Sequence, residues 1–125
     1  EWTERRRYHA ALYRTLLAET DLQLPTVAPH NYHVYHQFTI RHPQRELLRE
    51  YLCERGIESA VYYPLPLHLQ PAYQFLGYER GAFPHAERAA QEVLSIPIHS
   101  ELTEDQIAFV SEVIQAFAHA EVAIR

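Results

Sequence analysis

Apolar positions recur three and four residues apart near the start of the chain. Tyr8, Ala11, Leu12 and Leu16 fall on one side and arginines on the other, which predicts an amphipathic helix over 2–19. Residues 20–31, with Pro25 and Pro29, predict a connecting loop. From residue 32 the period drops to two. Val34, His36, Phe38 and Ile40 share one face of a predicted strand, 32–41. His33, Tyr35, Gln37, Thr39 and Arg41 share the other. Pro43 suits the first turn of a second helix, with Leu47, Leu48, Tyr51 and Leu52 as its apolar side and Gly56 as its stop. A short strand is expected over 57–63, and Pro64 and Pro66 make 64–70 irregular. Pro71 opens a helical turn ending at Gly77, and Pro84 opens a helix with Ala86, Ala89, Ala90, Val93 and Leu94 on one stripe. A third strand follows at 95–98, with Pro97 placing it at a sheet edge. Thr103 and Gln106 form a capping box for a last helix, whose Ile107, Val110, Ile114 and Phe117 face inward.

Helices with single apolar stripes alternating with short strands give an α+β fold, a small sheet of about three strands layered against helices. The 125 residues suit a single domain, in which 1–19 is a connecting helix and 32–120 the small α+β body. With 47% apolar and 22% charged residues the composition is that of a globular protein. No apolar run approaches the roughly 18–20 residues that span a bilayer, so no membrane partner is expected. The basic start, Glu1 to Arg7, has no apolar stretch behind it and does not read as a signal peptide. No methionine occurs, so the chain reads as a piece of a longer protein.

Absences narrow the chemistry. All 11 Lys+Arg positions are arginine, which excludes a Schiff base or a Walker A loop formed by this chain. The three glycines make no Gly-x-Gly-x-x-Gly turn, and the single cysteine, Cys53, excludes internal disulfides and cysteine-based zinc motifs. Cys53 is expected as a small buried hydrophobe, and a cytoplasmic setting fits. The net charge of −5 argues against nucleic acid as a partner. The nine histidines have no metal-ligand spacing and read as titrating surface groups; no metal is expected. Glu46 and Glu50 read as a solvated helix face supporting Arg49. The segment from Tyr62 to Tyr73 differs: it sets aromatic rings, His68 and Gln70 on a proline-stiffened loop after a strand. Such a loop suits recognition, because it loses little entropy on binding. It equally suits a structural loop whose tyrosines pack over the sheet.

These residues also carry a family resemblance. His33-Val34-Tyr35-His36-Gln37-Phe38-Thr39-Ile40-Arg41 resembles the first small-domain strand of the DegT/DnrJ/StrS sugar aminotransferases. Gly56-Ile57 and the run from Val61 to Gln70 resemble the following strand and loop. Pro84, Ala86-Glu87, Ala89-Ala90 and the run from Glu92 to His99 resemble the next helix and strand. Glu101 to Gln106 resembles the cap of the last helix, and Glu1 to Arg7 the helix leading into the domain. The resemblance implies the C-terminal small domain of an aspartate-aminotransferase-like (fold type I) enzyme. Such an enzyme uses pyridoxal phosphate to move an amino group, usually from glutamate, to a keto sugar attached to a nucleotide. It further implies that the Schiff-base lysine, the cofactor-phosphate contacts and a loop reaching the partner subunit of a homodimer lie in an N-terminal large domain. On this reading the chain holds no catalytic or cofactor-binding residue, carries no cofactor by itself and is inactive alone. His68 is the residue expected to face the substrate, with Tyr35, His36, Tyr62 and Tyr63 as further candidates. The alternative is a free-standing α+β binding or regulatory module. An exposed apolar patch where a large domain sat would distinguish the two. A third reading, a His-rich metal buffer, requires metal retained through purification.

Overall fold

A computed structural model describes residues 1–124; Arg125 lies outside the described residues. Four α-helices, α1 (Trp2–Leu16), α2 (Arg45–Cys53), α3 (Pro84–Glu92) and α4 (Glu104–Ile124), surround two strands, β1 (Phe38–Arg41) and β2 (Val93–Ile96). Two 3₁₀ turns, Leu67–Leu69 and Pro71–Leu76, occupy the proline-rich stretch between α2 and α3. The strands pair antiparallel, with Phe38 opposite Ile96 and Ile40 opposite Leu94. Single bridges add Gln23 beside Arg41 and Ala60 beside Ser95.

The sheet is therefore smaller than the sequence pattern predicts. Residues 57–63 make one bridge instead of a strand: Ser95 and Ala60 exchange N–H donors at 2.7 and 3.0 Å. Beyond that bridge lie Pro64 and Pro66, which have no N–H to continue a ladder. Residues 32–37 also fall outside β1. The Tyr35 N–H donates to Nδ1 of its neighbour His33 at 2.9 Å, and Tyr35 sits in the left-handed region (φ 47°). A side chain has captured a ladder donor. Facing is reversed there as a result, with Tyr35 buried and Val34 exposed. β2 begins at Val93, two residues earlier than expected, because α3 stops at Glu92. It is not an edge strand, since Ser95 bonds Ala60 on the side away from β1, and Pro97 lies past its end.

Local signals hold elsewhere. The Thr103 N–H donates to Gln106 Oε1 (2.9 Å) and the Gln106 N–H to Thr103 Oγ1 (3.2 Å), closing the capping box. Gly56 takes φ +74° and ends α2, with the Ile57 N–H returning to the Leu52 carbonyl at 3.0 Å.

One core joins these elements. Ile107, Val110, Ile114 and Phe117 of α4 face it as predicted. α1 packs on α4, and Ala10, Tyr13 and the flanking Leu17 join the same core. Its inward face is rotated from the expected one: Tyr8 and Ala11 are exposed, whereas His9 is buried and donates from Nδ1 to the His99 carbonyl at 3.0 Å. α2 buries Arg45, Leu48 and Leu52. Cys53 lies just off that face and is exposed, contrary to expectation, and Leu47 is exposed too. Arg45 Nη1 donates to the carbonyls of Ala90 (3.3 Å) and Val93 (3.0 Å), pinning α2 to the junction of α3 and β2. Arg41 of β1 binds Glu92 at 2.7 Å and fixes the same junction. Glu46 pairs with Arg45 and Arg49 on the solvated side. No helix of the described residues is long and apolar enough to cross a membrane.

Candidate functional site

The proline-rich segment builds an aromatic cavity against α3. Pro66 holds an extended backbone (ψ 150°) and delivers His68 onto a 3₁₀ turn, where it is the buried residue. Nε2 of His68 lies 2.9 Å from Oε1 of Glu87 on α3. The same carboxylate oxygen accepts the Gly81 N–H at 2.7 Å. Burial pushes the Glu87 carboxyl up, but hydrogen bonds from the Gly81 N–H, from His68 and from the Phe83 backbone hold it below the ordinary carboxylate value. The His68 ring meets Phe83 edge-on at 4.9 Å, and Phe83 meets Tyr78 in the same way.

Beside this pair opens a cavity of about 670 Å³, walled by Tyr62, Tyr63, Leu65, Tyr73 and Phe83 on the loop side. Ala86, Ala89 and Ala90 of α3, with Val93 at the start of β2, form its other side. The stripe expected to face the core from α3 is thus divided: Ala90 and Leu94 are buried, while Ala86 is exposed at the cavity.

The five candidate site residues separate into three places. His68, Tyr62 and Tyr63 share the aromatic cavity. His36 is exposed and lines a second cavity with Ser95, His99 and, again, Tyr62. Tyr35 lines neither; it lies in the core, stacked on His33 at 4.0 Å and on Phe38 at 6.0 Å. Sequence reasoning missed Glu87 and Phe83 as members of the site. The available signal was an acidic residue in the first turn of a helix opened by proline, a position the helix dipole favours.

Pyridoxal phosphate needs an amine for its imine link and cationic or amide donors for its phosphate. The chain contains no lysine, and neither cavity is lined by an arginine. The residues lining these two cavities do not fit the cofactor. Among the described residues no three His, Cys, Asp or Glu side chains could hold a metal ion.

Residues 1–115 match the model of the DegT/DnrJ/EryC1/StrS aminotransferase family. The chain belongs to that family. It is 52% identical over 93% of its length to a pleiotropic regulatory protein of Geobacillus stearothermophilus. It is 40% identical over 94% to the UDP-N-acetyl-3-dehydro-alpha-D-glucosamine 3-aminotransferase of Acidithiobacillus ferrooxidans. Among solved family structures, Streptomyces venezuelae DesV, crystallised with a ketimine intermediate, superimposes with a TM-score of 0.90 at 39% identity, over 94% of this chain and 32% of DesV. A family aminotransferase from Brucella abortus gives 0.84 at 31% identity, over 94% of this chain and 31% of that one. The chain spans about a third of the length of the curated relatives it matches (32% and 31% for the two above). The fold is that of a segment of these aminotransferases, as the resemblance implies.

Proposed function

We propose that this chain is the C-terminal small domain of a pyridoxal-phosphate-dependent transaminase that moves an amino group, from glutamate, to a keto sugar attached to a nucleotide. The observation that carries the reading is the aromatic cavity with His68 at its wall, in a chain whose family is one of aminotransferases. The Schiff-base lysine and the cofactor site belong to an N-terminal large domain. This domain closes over that site, excludes water and holds the sugar. His68 contacts the sugar, with Tyr62 and Tyr63 beside it, and His36 serves the second cavity. Tyr35 supports the strand from the core. Residues 1–19 lead into the domain and 32–120 form its body. The whole enzyme acts as a homodimer in the cytoplasm.

Exposed Tyr63 (71%), Leu67 (67%) and Phe75 (81%) support this reading over a free-standing module, because they lie along the same loop and call for a cover. The regulatory alternative is favoured by the name of the Geobacillus relative alone.

Borohydride reduction of the native protein, followed by intact mass, tests the proposal. A much heavier chain bearing a phosphopyridoxyl-lysine, active on a nucleotide-linked keto sugar and glutamate, supports it. A native mass near 14.7 kDa without adduct or activity overturns it.

A further inference from the structure

The His68–Glu87 pair has an asymmetry with chemical content. A carboxylate only accepts hydrogen bonds, and the same oxygen of Glu87 already accepts the Gly81 N–H at 2.7 Å. The 2.9 Å contact therefore requires the hydrogen on Nε2 of His68. Both side chains are largely withdrawn from solvent, His68 at 7% and Glu87 at 12% exposure. Nδ1 of His68 has no hydrogen-bond partner among the described residues, and it is not among the buried polar atoms shut away from solvent. Glu87 in turn is fixed by Gly81 on the loop and by its place on α3, which Arg45 and the Arg41–Glu92 pair anchor to the sheet.

We infer that Glu87 is the positioning residue of His68: its carboxylate holds Nε2–H inside the protein and turns Nδ1 toward whatever occupies the aromatic cavity. This rests on the reading of His68 as the substrate-facing residue. A neutral ring held in this way offers an acceptor. The group it recognises is a hydrogen-bond donor, such as a sugar hydroxyl, and a phosphoryl oxygen is recognised only once the ring gains its second proton. The other titratable groups around the cavity are Tyr62, Tyr63, Tyr73 and Tyr78, and among the described residues no arginine or carboxylate lines it.

The test is histidine-selective ¹⁵N NMR on the full-length protein, with the His68 signals identified by their loss in His68→Asn. A protected Nε2–H resonance is expected in the wild type. Glu87→Gln keeps an acceptor oxygen in place, so the protected Nε2–H resonance should persist. Glu87→Ala should lose the protected proton. In the active enzyme, Glu87→Ala should raise the KM for the sugar several-fold, and Glu87→Gln should restore most of it. A protected Nε2–H that survives in Glu87→Ala overturns the inference, as does its loss in Glu87→Gln. Should Glu87→Ala not fold, the wild-type spectrum decides alone: a His68 ring protonated on Nδ1 and bare on Nε2 overturns the inference. A normal response to both substitutions in a protein that transfers no amino group leaves the inference standing and overturns the transaminase reading. An unresponsive His68 in an active transaminase does the reverse.

Discussion

The Tyr13 hydroxyl donates to the carbonyl of Pro97 at 2.8 Å. This bond ties the last turn of α1 to the chain just past β2, beneath a fully buried ring that packs on Phe38 at 5.1 Å. Burial pushes the Tyr13 phenol well above its ordinary pKa, so it stays protonated and donating across the working range. Tyr13→Phe should cost about 1–2 kcal/mol, because a shielded carbonyl loses its donor. Tyr13→Ala should cost about 3–5 kcal/mol by adding a cavity. Urea unfolding of both variants checks the order; equal costs would mean that the hydroxyl contributes nothing.

Acid should loosen α3 before the rest of the fold. The Glu92 carboxyl is held below its ordinary 4.5 chiefly by the Arg88 hydrogen bond, with Arg41 assisting against a burial cost. Glu87 is lowered as well, its burial outweighed by the donors around it. A carboxyl with a lower pKa when folded binds its proton more readily when unfolded. Its contribution is therefore complete above the unfolded value and is lost as the pH falls through the folded one. Melting temperature should drop between about pH 5 and about pH 3, and Glu87→Gln and Glu92→Gln should each flatten that drop. A slope unchanged in both variants would assign acid sensitivity to other groups.

For the full-length enzyme, His68→Ala should raise the KM for the sugar or lower kcat while the bound cofactor keeps its absorbance. The cofactor contacts are expected in the large domain, so loss of that absorbance would place His68 in the wrong role.

Thr103→Ala removes one half of the reciprocal cap of α4 and leaves the Gln106 N–H without its 3.2 Å acceptor. A loss of about 1 kcal/mol is expected, with Thr103→Ser retaining most of the stability. Thermal unfolding of the pair measures it, and a silent Thr103→Ala would mean that water caps the helix equally well.

The sequence announced what depends on neighbours in the chain. The inward stripe of α4, the stop at Gly56 and the Thr103–Gln106 cap all rest on contacts within a few residues. It misled where distant partners decide. His9 reads as a polar surface residue until the carbonyl of His99, 90 positions away, comes to meet it. Nothing near Arg45 in the chain marks it as buried; the carbonyls of Ala90 and Val93, 45 and 48 positions away, draw it inside. The alternation over 32–41 was real as a pattern, yet the His33 imidazole took the Tyr35 N–H and reversed the facing. The site divides in the same way. The stiffness of the Tyr62–Gln70 loop could be read from its prolines, but the carboxylate that orders His68 arrives from α3, 19 residues later.

The wall that α3 gives the aromatic cavity is made of methyl groups, from Ala86, Ala89 and Ala90, and the larger Val93 beside them belongs to β2. Small residues there are a size gauge. The backbone of α3 is anchored from behind by Arg45 and Arg41, so it cannot retreat to make room for a bulkier neighbour. Any carbon added at Ala86 or Ala89 must project into the space the guest would fill. The bore of the pocket is thereby written in three alanines, and relatives that differ at those positions should accept guests of different girth on the same scaffold.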